Sequence, residues 1–240
     1  MNRDNHTHHF FPVLLILILV ISGFFAVPKL YDMGRNKLEY TLISRTKPKN
    51  YKKLVKKNPD LVGILRIPGT KINYPVTQTP KNPQYYLHRG FNRKYSVSGC
   101  LFMDGKTNVN KSKNLLIYGH HMRDGSMFGQ LVKYNDPAFF KKHRTVYFTR
   151  IFKDGHYEKR KYIVFACYRT AENNRNSYLD YANITNRKKY RKFVRLQKKS
   201  SERRIKFTPE WDVDLLTLST CSYHISGHLG RYSLSAYRVY

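Results

Sequence analysis

A cysteine closes the run LLTLSTC, Leu215 to Cys221, and an arginine, Arg231, follows ten residues later. Strand alternation along that run puts Leu215, Thr217, Ser219 and Cys221 on one face and Leu216, Leu218 and Thr220 on the other. The thiol therefore falls at a strand end, where a side chain can leave the core and meet a substrate. If the strand that Arg231 opens pairs antiparallel with this one, the intervening loop returns the guanidinium beside the sulfur. A guanidinium there can donate hydrogen bonds to a substrate backbone or to a developing oxyanion.

A cysteine nucleophile needs a proton partner, and histidine is the side chain best tuned for that near neutral pH. Ten histidines are available. His6, His8 and His9 lie in the N-terminal tail, His88, His143 and His156 in polar loop contexts, and His224 and His228 in the loop after Cys221. His120 and His121 follow the run NLLIYG, where Gly119 allows a tight turn at a strand end, a placement that mirrors the cysteine's. Spacing leaves His120, His121 and His224 open. Cys100, Cys167 and Cys221 form an odd, sparse set, so at least one thiol is free and no disulfide framework is expected. Cys167, inside the apolar YIVFACY, fits a buried structural cysteine. The Cys and His positions lack the paired close spacings of a zinc site, and Asp104, Asp124 and Asp136 read as solvated loop carboxylates, so no metal or cofactor is expected.

The elements that must hold these groups are short. From Leu61 onward the runs LVGILRI, INYPVTQ, GCLFMD, NLLIYG, TVYFTRIF, KYIVFACY, VDLLTLST and RYSLSAYRVY are β-rich and punctuated by Gly, Pro and Asn. About eight such strands predict a mainly β fold, an eight-stranded closed or nearly closed barrel. Between the last pairs, residues 186–200 (NRKKYRKFVRLQKKS) carry Tyr190, Phe193, Val194 and Leu196 at helical spacing, which predicts an inserted basic amphipathic helix packed on the barrel wall. Residues 28–58 read as one or two amphipathic helices broken near Lys47-Pro48, a stalk or lid. Ahead of them Phe10 to Val27 is an uncharged apolar run just long enough to span hydrocarbon. Phe24 occupies a position where a signal-peptidase site wants a small residue, which favours an uncleaved anchor. The expected layout is a tail over 1–9, an anchor over 10–27, a helical segment over 28–58 and a catalytic barrel over 59–240.

Charge bounds the surroundings. Lys and Arg number 45 against 15 Asp and Glu, a formal charge of +30, which implies anionic neighbours. The basic residues are spread along the chain without a zinc-finger or aromatic RNA-binding motif, which argues against a nucleic-acid module. Arg3 alone precedes the apolar run, whereas Lys29, Arg35, Lys37, Arg45 and Lys47 follow it, so a literal positive-inside count keeps the domain in the cytoplasm.

Three blocks carry a family resemblance: NPDLVGILRIPGTKINYPVTQ over 58–78, IYGHHMRDGSMFGQL over 117–131, and TLSTC followed by Arg231. In order and spacing, over roughly residues 30–240, the sequence resembles a class B sortase, a membrane-anchored cysteine transpeptidase of Gram-positive surfaces. The basic inserted helix also resembles the insertion of that class. The resemblance implies Cys221 as nucleophile, His120 as the catalytic histidine and Arg231 as the residue that holds substrate and oxyanion. Ser219, Tyr118, Thr220 and Ser222 are the implied pocket contacts, while Arg238, seven residues along the strand, is too far. It further implies cleavage of a C-terminal sorting signal after threonine, a thioacyl intermediate, and transfer to a pilin lysine or a peptidoglycan cross-bridge amine, with the domain facing the wall. The basic chain and one departure, the lack of any acidic residue from Ser222 to Tyr240, tilt the expectation toward pilus assembly and leave that pocket wall unlike the family's. Two other readings compete: a membrane-tethered basic binding protein, in which Cys221 has no chemical role, and a papain-like protease, whose cysteine sits on a helix.

Overall fold

The computed structural model describes residues 7–171, 177–203, 205–222 and 230–239. All eight β-rich runs form strands: β1 (Leu61–Arg66), β2 (Asn73–Thr77), β3 (Leu101–Met103), β4 (Asn114–Tyr118), β5 (Thr145–Ile151), β6 (Tyr157–Ala171), β7 (Leu215–Ser222) and β8 (Gly230–Arg238). They close into a barrel in the order β1-β2-β3-β4-β7-β8-β6-β5. Closure leaves no sheet edge to protect. Its interior is filled by inward-pointing apolar residues, among them Leu65, Val76, Ile117, Phe148, Leu218 and Leu234.

β6 starts four residues earlier than its apolar run suggests. Its polar beginning pairs with β5, Phe148 opposite Arg160 and Thr149 opposite Lys159. Ion pairs offset the charge: Glu158 meets Arg160 at 2.7 Å and Arg238 at 2.5 Å. Charged residues that neutralise one another can occupy a strand without showing an apolar alternation.

Two pairings set the site. β4 and β7 run parallel, from Asn114 opposite Leu215 to Tyr118 opposite Ser219, so both strands end at the same rim of the barrel. β7 and β8 run antiparallel, with Leu218 opposite Leu234, Thr220 opposite Tyr232 and Cys221 opposite Arg231. Partners across an antiparallel pair share a face. The β7–β8 pair thus has an inner row of Leu216, Leu218, Leu234 and Ala236 in the core, and an outer row of Thr217, Ser219, Ser233 and Ser235.

The predicted inserted helix is α4 (Arg187–Ser200), which falls between β6 and β7 and is capped by Asn186 accepting from the Lys189 amide at 2.8 Å. It buries Tyr190, Phe193, Val194 and Gln197. Gln197 bridges the outer row: its Oε1 accepts from Ser235 at 2.9 Å and Ser233 at 3.4 Å, and its Nε2 donates to the Tyr168 hydroxyl at 3.0 Å.

At the N-terminal end, α1 (Thr7–Ser44) is one helix through residue 28, and the break comes after Ser44, followed by a 3₁₀ turn at Pro48–Asn50 and by α2 (Tyr51–Lys57). Leu17–Ser44 is long and apolar enough to cross a membrane by length and composition. Within α1, Leu14, Leu15, Leu17, Ile18, Leu19, Val20, Ile21, Phe24 and Val27 are exposed apolar side chains. Its last turns behave differently. Asn36, Tyr40 and Ile43 are buried, and Asn36 donates to the Ser96 hydroxyl at 2.8 Å. The expected stalk is thereby fastened to the barrel beside β2.

Candidate active site

Cys221 lies at the outer-row end of β7, partly exposed, while Cys100 and Cys167 are buried; all three are free thiols. Burial pushes the Cys100 thiol up to about 12 and the Cys167 thiol up to about 11. Both are inert at physiological pH, since the thiolate is the reactive form. Cys167 has the structural role its apolar setting suggested, and Cys100 shares it.

Cross-strand register delivers Arg231 as the spacing anticipated. Its Nη1 donates to the Cys221 sulfur at 3.4 Å, within reach for a bond to sulfur. A guanidinium keeps its charge at any physiological pH, so it stabilises negative charge on the sulfur or on an oxygen formed beside it. Arg238 is engaged elsewhere, with Glu158 and, at 3.3 Å, Asp214.

The histidines arrive from the parallel neighbour. After β4 the chain turns through Gly119, whose amide donates to the Ser219 carbonyl at 3.1 Å. A Cβ on Gly119 would come within 2.4 Å of Leu101 and 2.8 Å of Phe128. This glycine is required for close approach, not for the tight turn expected of it. His121 donates from Nδ1 to the Cys221 carbonyl at 2.9 Å and so ties the two strand ends together. His120 donates from Nε2 to the Leu87 carbonyl at 2.7 Å. A carbonyl can only accept, so Nε2 carries the proton and Nδ1 of the neutral ring is the bare nitrogen.

His120 also packs against His88, ring centroids 5.5 Å apart. Burial lowers its pKa first; the Leu87 hydrogen bond opposes the shift, and the charges of His88 and Arg231 add to it. The ring is therefore neutral at neutral pH, and the influence of Arg231 places it in the electrostatic field of the thiol's partner. His224 and His228 lie outside the described residues.

The expected pocket contacts divide. Tyr118 is half-buried and donates from its hydroxyl to Asp104 at 2.8 Å; burial and that carboxylate hold the phenol protonated. Ser219 is fully buried, its hydroxyl 2.6 Å from that of Tyr178. Thr220 sits on the inner row across from Tyr232 and is 1% exposed, so its side chain points away from the row that carries the thiol. Ser222 pairs through its backbone with Gly230. Asp104 departs from the loop-carboxylate expectation, since it holds Tyr118; Asp136 caps α3 (Pro137–Lys142), and Asp124 accepts from Ser126. Reading the sequence missed Asp104, Leu87, His88 and Tyr178. Asp104 alone carried a signal, an acid directly following the strand run LFM.

A thiol with a fixed cation across one strand pair and a neutral histidine on the next strand is the equipment of nucleophilic acyl transfer. A family profile for the sortase domain matches residues 65–239. The chain belongs to the sortase family. It is 28% identical over 222 residues to sortase B of Staphylococcus aureus, 87% of each chain, and 45% identical over 93 residues to sortase B of Listeria monocytogenes, 38% of this chain and 37% of the relative. Among solved structures, a Staphylococcus aureus sortase B–substrate complex matches with a TM-score of 0.75 at 26% identity, covering 87% of this chain and 98% of that one. Clostridium perfringens sortase B matches at 0.70 and 28% identity, covering 79% and 99%. This sortase is a class B cysteine transpeptidase, and the eight-stranded barrel with N-terminal helices and a late inserted helix is that of its relatives. The papain-like alternative falls with it, since Cys221 sits on a strand.

Proposed function

We propose that this sortase is held in the membrane by residues 10–27, with the helical segment 28–58 and the barrel 59–240 on the wall side, and that Cys221, His120 and Arg231 carry its chemistry. The Cys221 thiol gives its proton to the bare Nδ1 of His120 as its sulfur attacks the peptide carbonyl that follows a threonine in a C-terminal sorting signal, so the imidazolium holds the proton that the leaving amine needs. Arg231 donates hydrogen bonds to the oxygen as it becomes an oxyanion. His120 gives a proton to the departing amine, the C–N bond breaks, and the acyl group stays on sulfur as a thioester. An incoming amine then attacks that thioester, loses a proton to His120, and releases the thiol with a new amide bond. A solved relative is a sortase B bound to substrate, which supports a sorting-signal-bearing protein as partner. The acceptor is an amine of the cell surface, a pilin lysine or a peptidoglycan cross-bridge.

The observation that carries this reading is the 3.4 Å contact from Arg231 to the Cys221 sulfur on adjoining strands. The test incubates the full chain in uncharged detergent with threonine-containing peptides and follows Cys221 by mass spectrometry. A thioacyl adduct is expected, absent in Cys221→Ala and formed about 10²–10⁴-fold more slowly in His120→Ala, the contribution of general acid–base catalysis. Adding a lysine-bearing pilin peptide or an oligoglycine amine identifies the acceptor by which product forms. A folded chain that forms no adduct with any peptide overturns the reading.

A further inference from the structure

Away from the thiol, α4 carries eight Lys or Arg and no acid in 14 residues. Arg187, Arg191, Arg195 and Lys199 recur every fourth residue, one stripe along the helix with a cation about every 6 Å. Like charges at that spacing destabilise a helix, so the stripe is costly to the fold on its own. Among the described residues none of these four, nor Lys198 beside them, makes an ion pair.

The stripe borders a groove of about 670 Å³ between α4 and residues 208–211. Trp211 lines its other side, set edge-on to Tyr190 with centroids 5.4 Å apart. Lys198 spans the two walls, donating to the Thr208 hydroxyl at 2.5 Å. Glu210 is the one carboxylate on the lining. A planar headgroup surface meets projections, whereas a concave slot with regularly repeated cations fits a single chain bearing regularly repeated charge. α4 rests on β6 and β8 through Gln197, and in the ring of strands β8 lies four places from β2, where α1 docks. The groove thus opens on the side of the barrel away from the membrane helix.

We propose that this groove binds a linear phosphodiester polyanion laid along α4, its successive phosphates met by Arg187, Arg191, Arg195 and Lys199. Such a contact would hold the enzyme within an anionic polymer matrix without occupying the thiol's end of the barrel.

Trp211 is the only tryptophan in the chain, so intrinsic fluorescence reads the groove directly. The full chain in nanodiscs of uncharged lipid is titrated with a poly(glycerol phosphate) oligomer. A saturable emission change that weakens with salt is expected. Arg191→Gln with Arg195→Gln should weaken binding about tenfold or more and lower the salt slope by roughly 1.4, at ~0.7 per phosphate contact for a flexible single chain. Glu210→Gln should tighten binding. Lys141→Gln with Lys142→Gln, an exposed pair on α3, should change it less than twofold. Equal weakening by that pair, an equal response to monomeric glycerol phosphate, or no response to the polymer overturns the proposal. An emission change on adding phosphatidylglycerol to the nanodisc alone, or tighter binding of a DNA duplex, reassigns the groove to membrane or nucleic acid and overturns it too.

Discussion

The two faces of the β7–β8 pair are built from the same eight registers and do opposite things. The inner row, Leu216, Leu218, Leu234 and Ala236, is sealed in the barrel core. The outer row starts with the apolar Leu215 beside Tyr237 and is polar beyond it, from Thr217 with Ser235 through Ser219 with Ser233 to Cys221 with Arg231. For most of its length that polar row is covered and satisfied: Gln197 of α4 takes both serine hydroxyls, and Tyr178 takes Ser219. Cys221 and Arg231 lie where that cover ends, and both are partly exposed. A polar strand face beneath an inserted helix is a costly element unless every group is paired, and at the rim the pairing is thiol with guanidinium, Arg231 donating to Cys221 at 3.4 Å.

This contrast can be broken from the outer end first. Arg231→Ala should lower kcat/KM by about 10²–10³, the loss seen when one oxyanion donor is removed, with thermal stability nearly unchanged. Arg231→Lys should recover only part, because an ammonium lacks the two-pronged geometry. Steady-state transpeptidation with a fluorogenic sorting peptide measures both, and a wild-type rate in Arg231→Ala would separate the cation from the chemistry.

From the inner row the expected effect is the reverse. Leu218→Ala empties part of a fully buried site and should cost about 2–5 kcal/mol of stability, measured by urea unfolding, while the surviving folded enzyme retains its kcat. The covered stretch falls between: Gln197→Leu leaves two serine hydroxyls and a tyrosine hydroxyl without their partner and should cost about 1–3 kcal/mol, again with little change in kcat. A large kcat loss in Gln197→Leu with intact stability would mean that the cover takes part in the reaction.

Strand positions, the inserted helix and the thiol–arginine pair were legible because each rests on short-range pattern: alternation, helical spacing and antiparallel return. Spacing did not separate His120 from His121, whose rings meet different partners, Leu87 in one case and the Cys221 backbone in the other. Both partners come from distant parts of the chain. Asp104 and Tyr178 were hidden for the same reason, each acting through a single long-range hydroxyl bond. Thr220 was assigned to the pocket by its motif, although its own alternation already turned it inward.

The smallest effect tests how the rim tunes its histidine. His120 has a folded pKa below the ordinary value near 6.5, chiefly from burial, with His88 and Arg231 adding to it. The folded state therefore binds fewer protons than the unfolded chain as pH falls through that value. The stability contributed by the neutral buried ring is complete above about pH 6.5 and is lost as pH drops toward the lowered folded pKa. Thermal unfolding should show a steeper loss of Tm between pH 7.5 and 5.5 in the wild type than in His120→Gln, whose neutral amide does not titrate. His88→Gln removes one of the two neighbouring charges without touching Leu87 or Arg231. It should raise the His120 pKa and move the acid limb of kcat/KM upward with it, whereas an unmoved limb would mean that burial and Arg231 alone hold the ring neutral.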